Sequence, residues 1–196
     1  MDHPWVARHN LTSAEYQSVF NSLAAVGYQL ISLSGYAIEG QPRYAAIWKQ
    51  ASGPDWIARH GMPRAEFQET FTDLPAQGYV PAQVGGYRVN VDVQFTALWQ
   101  RLNNVQWEAH HGMTTLEYQK KFDEMLAAGK HLVWVNGYSD TGIARYAAIW
   151  YQGQAGPWQA RRGLDAAQYQ VAFDEMAAKG FRPVQISGYG DGFYIA

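Results

Sequence analysis

Four tryptophans, Trp5, Trp56, Trp107 and Trp158, stand 51 residues apart, and this spacing constrains the chain more than any other feature in it. A fixed period of that length marks a repeat architecture, in which each unit buries its apolar face against its neighbours. The same step carries Gln17 to Gln68, Gln119 and Gln170, and Phe20 to Phe71, Phe122 and Phe173. It also carries Gly27 to Gly78, Gly129 and Gly180, and the dipeptide Gly35-Tyr36 to Gly86-Tyr87, Gly137-Tyr138 and Gly188-Tyr189. Counted from the tryptophans, the repeats are 5–55, 56–106, 107–157 and a truncated 158–196, expected to form a single repeat domain over 1–196.

Each copy opens with Trp-x-Ala, then Arg or His at the next two positions, and alternation predicts a strand with Trp5, Ala7 and His9 on one face. Val6, Ile57, Glu108 and Gln159 occupy the variable alternate position, expected to be the more exposed. A helix follows. Thr12 with Glu15, Thr114 with Glu117, and Asp165 with Gln168 have the spacing of capping boxes, and Pro63 replaces the cap in the second copy. Leu11 with Tyr16, and the matching pairs in the other copies, stand at the places of a hydrophobic staple. Tyr16, Phe20 and Leu23 build one apolar stripe. Gly27 and its equivalents fit the left-handed position that ends a helix.

The next segment alternates, predicting a strand with Ile31 and Leu33, Ala82 and Val84, Val133 and Val135, and Val184 and Ile186 facing inward. After a Gly-Tyr and a polar loop comes a doubly apolar strand ending in Trp48, Trp99 or Trp150, expected to be covered on both faces. The fold class is therefore α+β, built from four βαββ-like repeats. An open solenoid needs end repeats with polar outer faces, yet the first and fourth copies keep the apolar positions of the middle two. The expectation is a closed four-bladed, propeller-like ring. In the fourth copy the loop is three residues shorter and the chain stops two residues short of the expected tryptophan.

Composition narrows the partners. Charged residues make up only 16% against the roughly 25% of ordinary soluble domains, and aromatics reach 15%. A formal charge of −2 argues against nucleic acid, and no apolar run approaches a membrane span, so neither nucleic-acid binding nor membrane insertion is expected. There is no cysteine, which removes disulfides and thiolate metal sites. The opening Met-Asp-His-Pro-Trp lacks the pattern of a signal peptide.

Repeated polar residues are the first suspects for chemistry, but a packing rule must be obeyed in every copy while a catalytic group usually appears once. Gln17, Gln68, Gln119 and Gln170 are accordingly read as structural, their amides satisfying backbone groups of a neighbouring strand or loop. Arg8, Arg59, His110 and Arg161, and likewise His9, His60, His111 and Arg162, are read as hydrogen-bonded residues between repeats. Convergence of the imidazoles on a metal or anion is the sharper alternative, against which stand Arg162 in the fourth place and the lack of a recurring carboxylate. No metal, cofactor or catalytic residue is expected. Ser-x-x-Lys, Gly-x-Ser-x-Gly, His-Glu-x-x-His and a phosphate-binding glycine loop are all missing from the sequence. Lys130 and His131 are the one unrepeated titratable pair noted, expected to be exposed at a helix end.

What differs between copies lies in the inter-repeat loops: Arg88, Asn90 and Asp92; Ser139, Asp140 and Thr141; Glu39 and Gln41; and Asp191. Loops on a rigid scaffold carry specificity. Trp134, on the polar side of its strand, is the candidate exposed aromatic plate, with burial beneath a helix as the alternative.

The Trp-x-Ala-Arg-His-Gly opening, the Tyr-Gln-x-x-Phe helix, Gly-Tyr and the Arg-Tyr-Ala-Ala-Ile-Trp strand resemble the bacterial tandem repeat domain family over essentially the whole chain. Such repeats accompany serine β-lactamase-like hydrolases and form the N-terminal half of fungal polyglycine hydrolases. The resemblance implies an accessory domain, with substrate recognition for a serine hydrolase as one role and a secreted or extracellular setting. The Ser-x-x-Lys of the catalytic half does not occur here, so no catalytic residue is carried over. The expected function is a non-catalytic binding or accessory module for a peptide, protein or glycan. A self-assembly module ranks second and an unrecognised hydrolase third.

Overall fold

The computed structural model describes residues 3–153, 155–189 and the backbone of 193–195. The first repeat forms β1 (Trp5–Leu11), α1 (Ser13–Ala25), β2 (Tyr28–Ile38) and β3 (Gln41–Gln50). The second forms β4 (Trp56–Pro63), α2 (Arg64–Ala76), β5 (Tyr79–Val89) and β6 (Asp92–Arg101). The third forms β7 (Trp107–Met113), α3 (Thr115–Ala127), β8 (Lys130–Asp140) and β9 (Ile143–Gln152), and the fourth β10 (Arg162–Leu164), α4 (Ala166–Ala178), β11 (Ser187–Tyr189) and β12 (Phe193–Ile195). Every sheet is three-stranded and antiparallel with the last strand in the middle, as in β1-β3-β2. Two compact units result, Met1–Val105 and Gln106–Ala196, each holding two repeats.

Local signals set the helices. Thr12, Thr114 and Asp165 each accept a hydrogen bond from the backbone of the N3 residue, whose side chain reaches back, so all three capping boxes form. Pro63 makes no side-chain cap. Gly27, Gly78, Gly129 and Gly180 follow the helices with φ between 73° and 84°. Tyr16, Phe67 and Tyr118 anchor the apolar stripes and are buried.

Two bulges correct the predicted alternation. In the first strand of each of the first three repeats the register shifts just before the staple residue, between Arg8 and Leu11 in β1. The extra residue sits in the left-handed region, as Asn10 (φ 58°), Gly61 (65°) and Gly112 (70°). This explains the glycine of the Trp-x-Ala-Arg-His-Gly opening, and asparagine is the residue that best replaces it. The second bulge falls in the following strand, between Leu30 and Ser32, Pro81 and Gln83, and Leu132 and Trp134. It turns Ile31 out to 44% exposure, while Leu30 and Leu33 on either side are buried. Leu33, Val84 and Val135 face inward as expected, but Val184 and Ile186 of the fourth repeat are exposed.

The variable position of the first strand is exposed as expected at Gln159 of the fourth repeat, but Val6, Ile57 and Glu108 are half-buried. Val6 is half-buried beside an exposed Trp5. Trp56 explains the inversion: its ring meets Phe20 of α1 edge-on at 5.1 Å, so the Trp-Ala-His face serves the preceding repeat. Trp158 meets Phe122 in the same way at 5.9 Å. Within the first unit, Trp56, Ala58, Ala82 and Leu98 of the second repeat join a core of Tyr16, Leu30, Leu33, Tyr44 and Trp48 from the first. Both faces of β6 and β9 are buried as expected. In β3, by contrast, Ile47 remains 38% exposed.

Candidate binding surface

The seam between paired repeats is built around tyrosine hydroxyls and a ring or guanidinium at the His60 and Arg162 position. Tyr87 of the second repeat reaches into the first, where its hydroxyl lies 2.9 Å from that of Tyr44, and it donates to Gln94 Oε1 at 3.0 Å. Its ring lies over Gly35, leaving no room there for a side chain. The Gly-Tyr dipeptide thus works across the seam, the glycine of one copy receiving the tyrosine of the next. Tyr189 and Tyr146 repeat the hydroxyl pairing at 2.6 Å in the second unit. Burial raises the Tyr44 phenol above its ordinary range and the Tyr87 phenol well above it, so this pair stays protonated near neutrality.

His60 belongs to the same seam. Its ring lies edge-on to Tyr16 and Tyr44, at 4.6 and 4.8 Å, and Nε2 is 2.8 Å from Ser13 Oγ. Burial lowers its pKa, favouring the neutral ring. Arg162 takes the equivalent place, its guanidinium over Tyr118 at 5.6 Å and Tyr146 at 5.9 Å, donating to Gln119 Oε1 at 2.9 Å. His9 is exposed and His111 half-buried. Among the described residues no three His, Cys, Asp or Glu gather as a metal site. Arg8 and Arg59 are exposed and bond their neighbours' carbonyls, Ala7 at 2.8 Å and Ala58 at 3.1 Å.

Gln17, Gln119 and Gln170 donate to side chains of their own helices and not to neighbouring backbone. Gln17, Gln68, Gln119 and Gln170 are exposed, and three of them donate one helical turn onward, to Asn21, Asp123 and Asp174. The residue after the buried stripe tyrosine points away from the sheet, so its amide finds a partner on its own helix. The expected duty falls to a glutamine that alternation had placed on a merely polar face. Gln83 accepts from Leu33 N at 3.2 Å and donates to Ile31 O at 2.5 Å. Gln185 accepts from Val135 N at 3.2 Å and also donates to Val135 O. Gln83 occurs in the second copy and Gln185 in the fourth, while Ser32 and Trp134 hold this position in the others.

Trp134 itself is half-buried on β8 opposite Ile149, so it is not an open plate. It lies six residues before Asp140, which is half-buried at the end of the strand. Lys130 and His131 begin β8 and are half-buried, correcting the expected exposure. Lys130 Nζ and His110 Nε2 each lie 2.7 Å from Glu108, which also faces Lys121 at 3.9 Å. The bonds from His110 and then Lys130 hold the Glu108 carboxyl down to about 2. A carboxylate so stabilised accepts protons poorly near neutrality.

The unrepeated loop residues stand at two-residue hairpin tips. Glu39 and Gly40, and Thr141 and Gly142, all have positive φ, the backbone that matches strand twist. At the second tip Arg88, Asn90 and Asp92 are exposed, and Val91 is 72% exposed between them. Arg88 Nε donates to Asn90 O at 2.7 Å, and Asn90 Nδ2 donates to Gly40 O at 3.2 Å. The first and second tips are thereby held side by side, presenting Ile38, Glu39, Arg88 and Asp92 together. Asp191 lies outside the described residues.

A helix and a three-stranded sheet recurring every 51 residues, interlocked through Gly-Tyr, define a tandem α+β repeat protein. The sequence model of the polyglycine hydrolase-like structural repeat matches residues 2–51, 53–102, 104–153 and 155–194, and the chain belongs to that family. Among the described residues, no helix is long and apolar enough to cross a membrane.

Proposed function

We propose that the chain is a non-catalytic binding or accessory module that recognises a peptide, protein or glycan through its hairpin tips, with substrate recognition for a serine hydrolase as the setting. The observation that carries this reading is the Asn90 bond to Gly40, which unites two tips into one surface of unrepeated charges and exposed aliphatic side chains. Tyr87, Tyr189, Gln83, Gln185 and His60, by contrast, are engaged in holding paired repeats together.

Glycan and peptide arrays test the binding reading. Specific binding lost in an Arg88→Ala/Asp92→Ala variant of unchanged melting temperature is the expected result. Silence on both arrays, or binding indifferent to that variant, overturns the tip surface. Trp134→Ala beside it tests the remaining aromatic candidate.

A second reading, self-assembly, rests on the first repeat. Trp5 is 68% exposed, beside the exposed Ile31 and Ile47, whereas the equivalent Trp56, Ala82 and Leu98 pack on a neighbour. Light scattering of the wild type and Trp5→Ser decides it: a larger species that dissociates in the variant supports assembly, and a monomer in both rejects it.

A further inference from the structure

Ser13 and His60 form a hydroxyl–imidazole pair across the seam of the first two repeats. Ser13 Oγ lies 2.8 Å from His60 Nε2, the reach of a nucleophile and its base. One step of 51 residues replaces the two by Arg64 and His111, and the next by Thr115 and Arg162, so a hydroxyl residue is matched with an imidazole only once. An arrangement that occurs once is not a requirement of the repeat.

Both side chains are placed for reaction. Ser13 is exposed as the first residue of α1, whereas His60 is half-buried on β4. The imidazole is held edge-on to the rings of the buried Tyr16 and Tyr44, at 4.6 and 4.8 Å, with Nε2 toward the start of the helix. Burial favours the neutral ring, and with the ring proton on Nδ1 the Nε2 lone pair accepts from the Ser13 hydroxyl. The first turn of α1 also has amides to spare. Thr12 N donates to Glu15 Oε2, Glu15 N to Thr12 Oγ1 and Tyr16 N to Thr12 O, while the N–H groups of Ser13 and Ala14 have no partner among the described residues. Amides at the positive end of a helix stabilise negative charge on a carbonyl oxygen.

We propose that Ser13 is an acyl-accepting nucleophile, with His60 as its general base and activated esters as the substrate class. Ser13 Oγ attacks the ester carbonyl as its proton passes to His60 Nε2. The bond from Oγ to the carbonyl carbon forms, the bond from that carbon to the alkoxy oxygen breaks, and His60 gives the proton to the departing alcohol. The charge that develops on the carbonyl oxygen falls to the Ser13 and Ala14 amides. None of the described carboxylates bonds His60, so the site is a dyad, and the Tyr16 and Tyr44 rings take the orienting part that an acid plays in a triad. One acylation per chain is compatible with an accessory module, and the site shares no residue with the hairpin tips.

The probe is p-nitrophenyl acetate, added to the intact chain, with acid quenching and peptide mass spectrometry to locate the acetyl groups. Ser18 and Ser22, exposed on the same helix and not bonded to an imidazole, are internal controls. Ser13 is expected to be acetylated about a hundredfold or more faster than either. Its rate should rise with pH through one midpoint below 6.5, the titration of His60, and then level off. His60→Gln, which can still bond Ser13, should bring Ser13 down to the rate of the controls. If that variant melts early, the pH profile of the wild type decides. Ser13 left unmodified, or modified no faster than Ser18 and Ser22, overturns the proposal. A rate that climbs in proportion to hydroxide above neutrality, or one indifferent to His60→Gln, does the same.

Discussion

Replacing Gly35 by alanine is the sharpest test of the seam. A Cβ placed there would stand 2.3 Å from Tyr87 Cε1, 2.6 Å from Cδ1 and 2.8 Å from Cζ. The φ of Gly35 is not in the left-handed region, so the glycine is required for space and not for backbone freedom. The buried Tyr87 ring cannot swing aside without stretching its hydroxyl bonds to Tyr44 and Gln94. Overpacking of a filled core costs about 1–3 kcal/mol. Each weakened buried hydrogen bond adds about 1 kcal/mol. Alanine returns about 0.4–1 kcal/mol by restricting the unfolded chain. The net expectation is a loss of about 2–4 kcal/mol, measured by urea denaturation. Gly156→Ala is the matched control, since nothing lies within 4 Å of a Cβ there, and it should stay within about 0.5 kcal/mol. In a Tyr87→Ala background the cost of Gly35→Ala should fall below about 1 kcal/mol. If Gly35→Ala is as mild as the control, or costs the same in both backgrounds, the steric account of the seam is wrong.

Three further outcomes are expected. Gln83→Ala leaves the backbone groups of Ile31 and Leu33 without that partner and should cost about 1–3 kcal/mol, while Gln17→Ala, on an exposed helix face, should cost no more than about 0.5 kcal/mol; chemical denaturation of both separates the two glutamine sets. Because the Glu108 carboxyl is lowered from 4.5 to about 2, its contribution is fully present above the ordinary carboxylate range and is lost as pH falls through it; the stability gap between wild type and Glu108→Gln, followed by denaturation at a series of pH values, should therefore close between pH 4.5 and about 2. The His60 ring, lowered by burial, should titrate below 6.5 in a proton NMR series, whereas a midpoint at or above that value would contradict its seat between Tyr16 and Tyr44.

Features decided within a few residues were legible in the sequence. Thr12 and Glu15 sit three apart wherever the helix begins, and Gly27 ends it, so caps and boundaries needed no knowledge of the neighbours. The bulges were hidden because one extra residue, Asn10 or Ile31, reverses the parity on which alternation depends. The two glutamine sets show a second limit. Gln17 recurs in every copy and looked structural, yet the seam is braced by Gln83 and Gln185, which occur in alternate copies. That alternation was the available signal, since it has the period of the two-repeat units at Met1–Val105 and Gln106–Ala196. Of the unrepeated residues, Glu39, Asn90 and Thr141 fall in the turns while Gln41, Arg88, Asp92, Ser139 and Asp140 belong to the flanking strands, and the Asn90 contact that joins two tips depends on how one repeat seats on another.

Because Gly35 belongs to one copy and Tyr87 to the next, the inherited unit of fit straddles two segments of the gene. Duplication by whole copies reproduces matched partners automatically. A change on one side of such a joint then has to be answered in the neighbouring copy, which couples the copies in evolution and slows their divergence at these positions. Length has drifted elsewhere, in the segment after Tyr189, which is three residues shorter than its equivalents in the other copies.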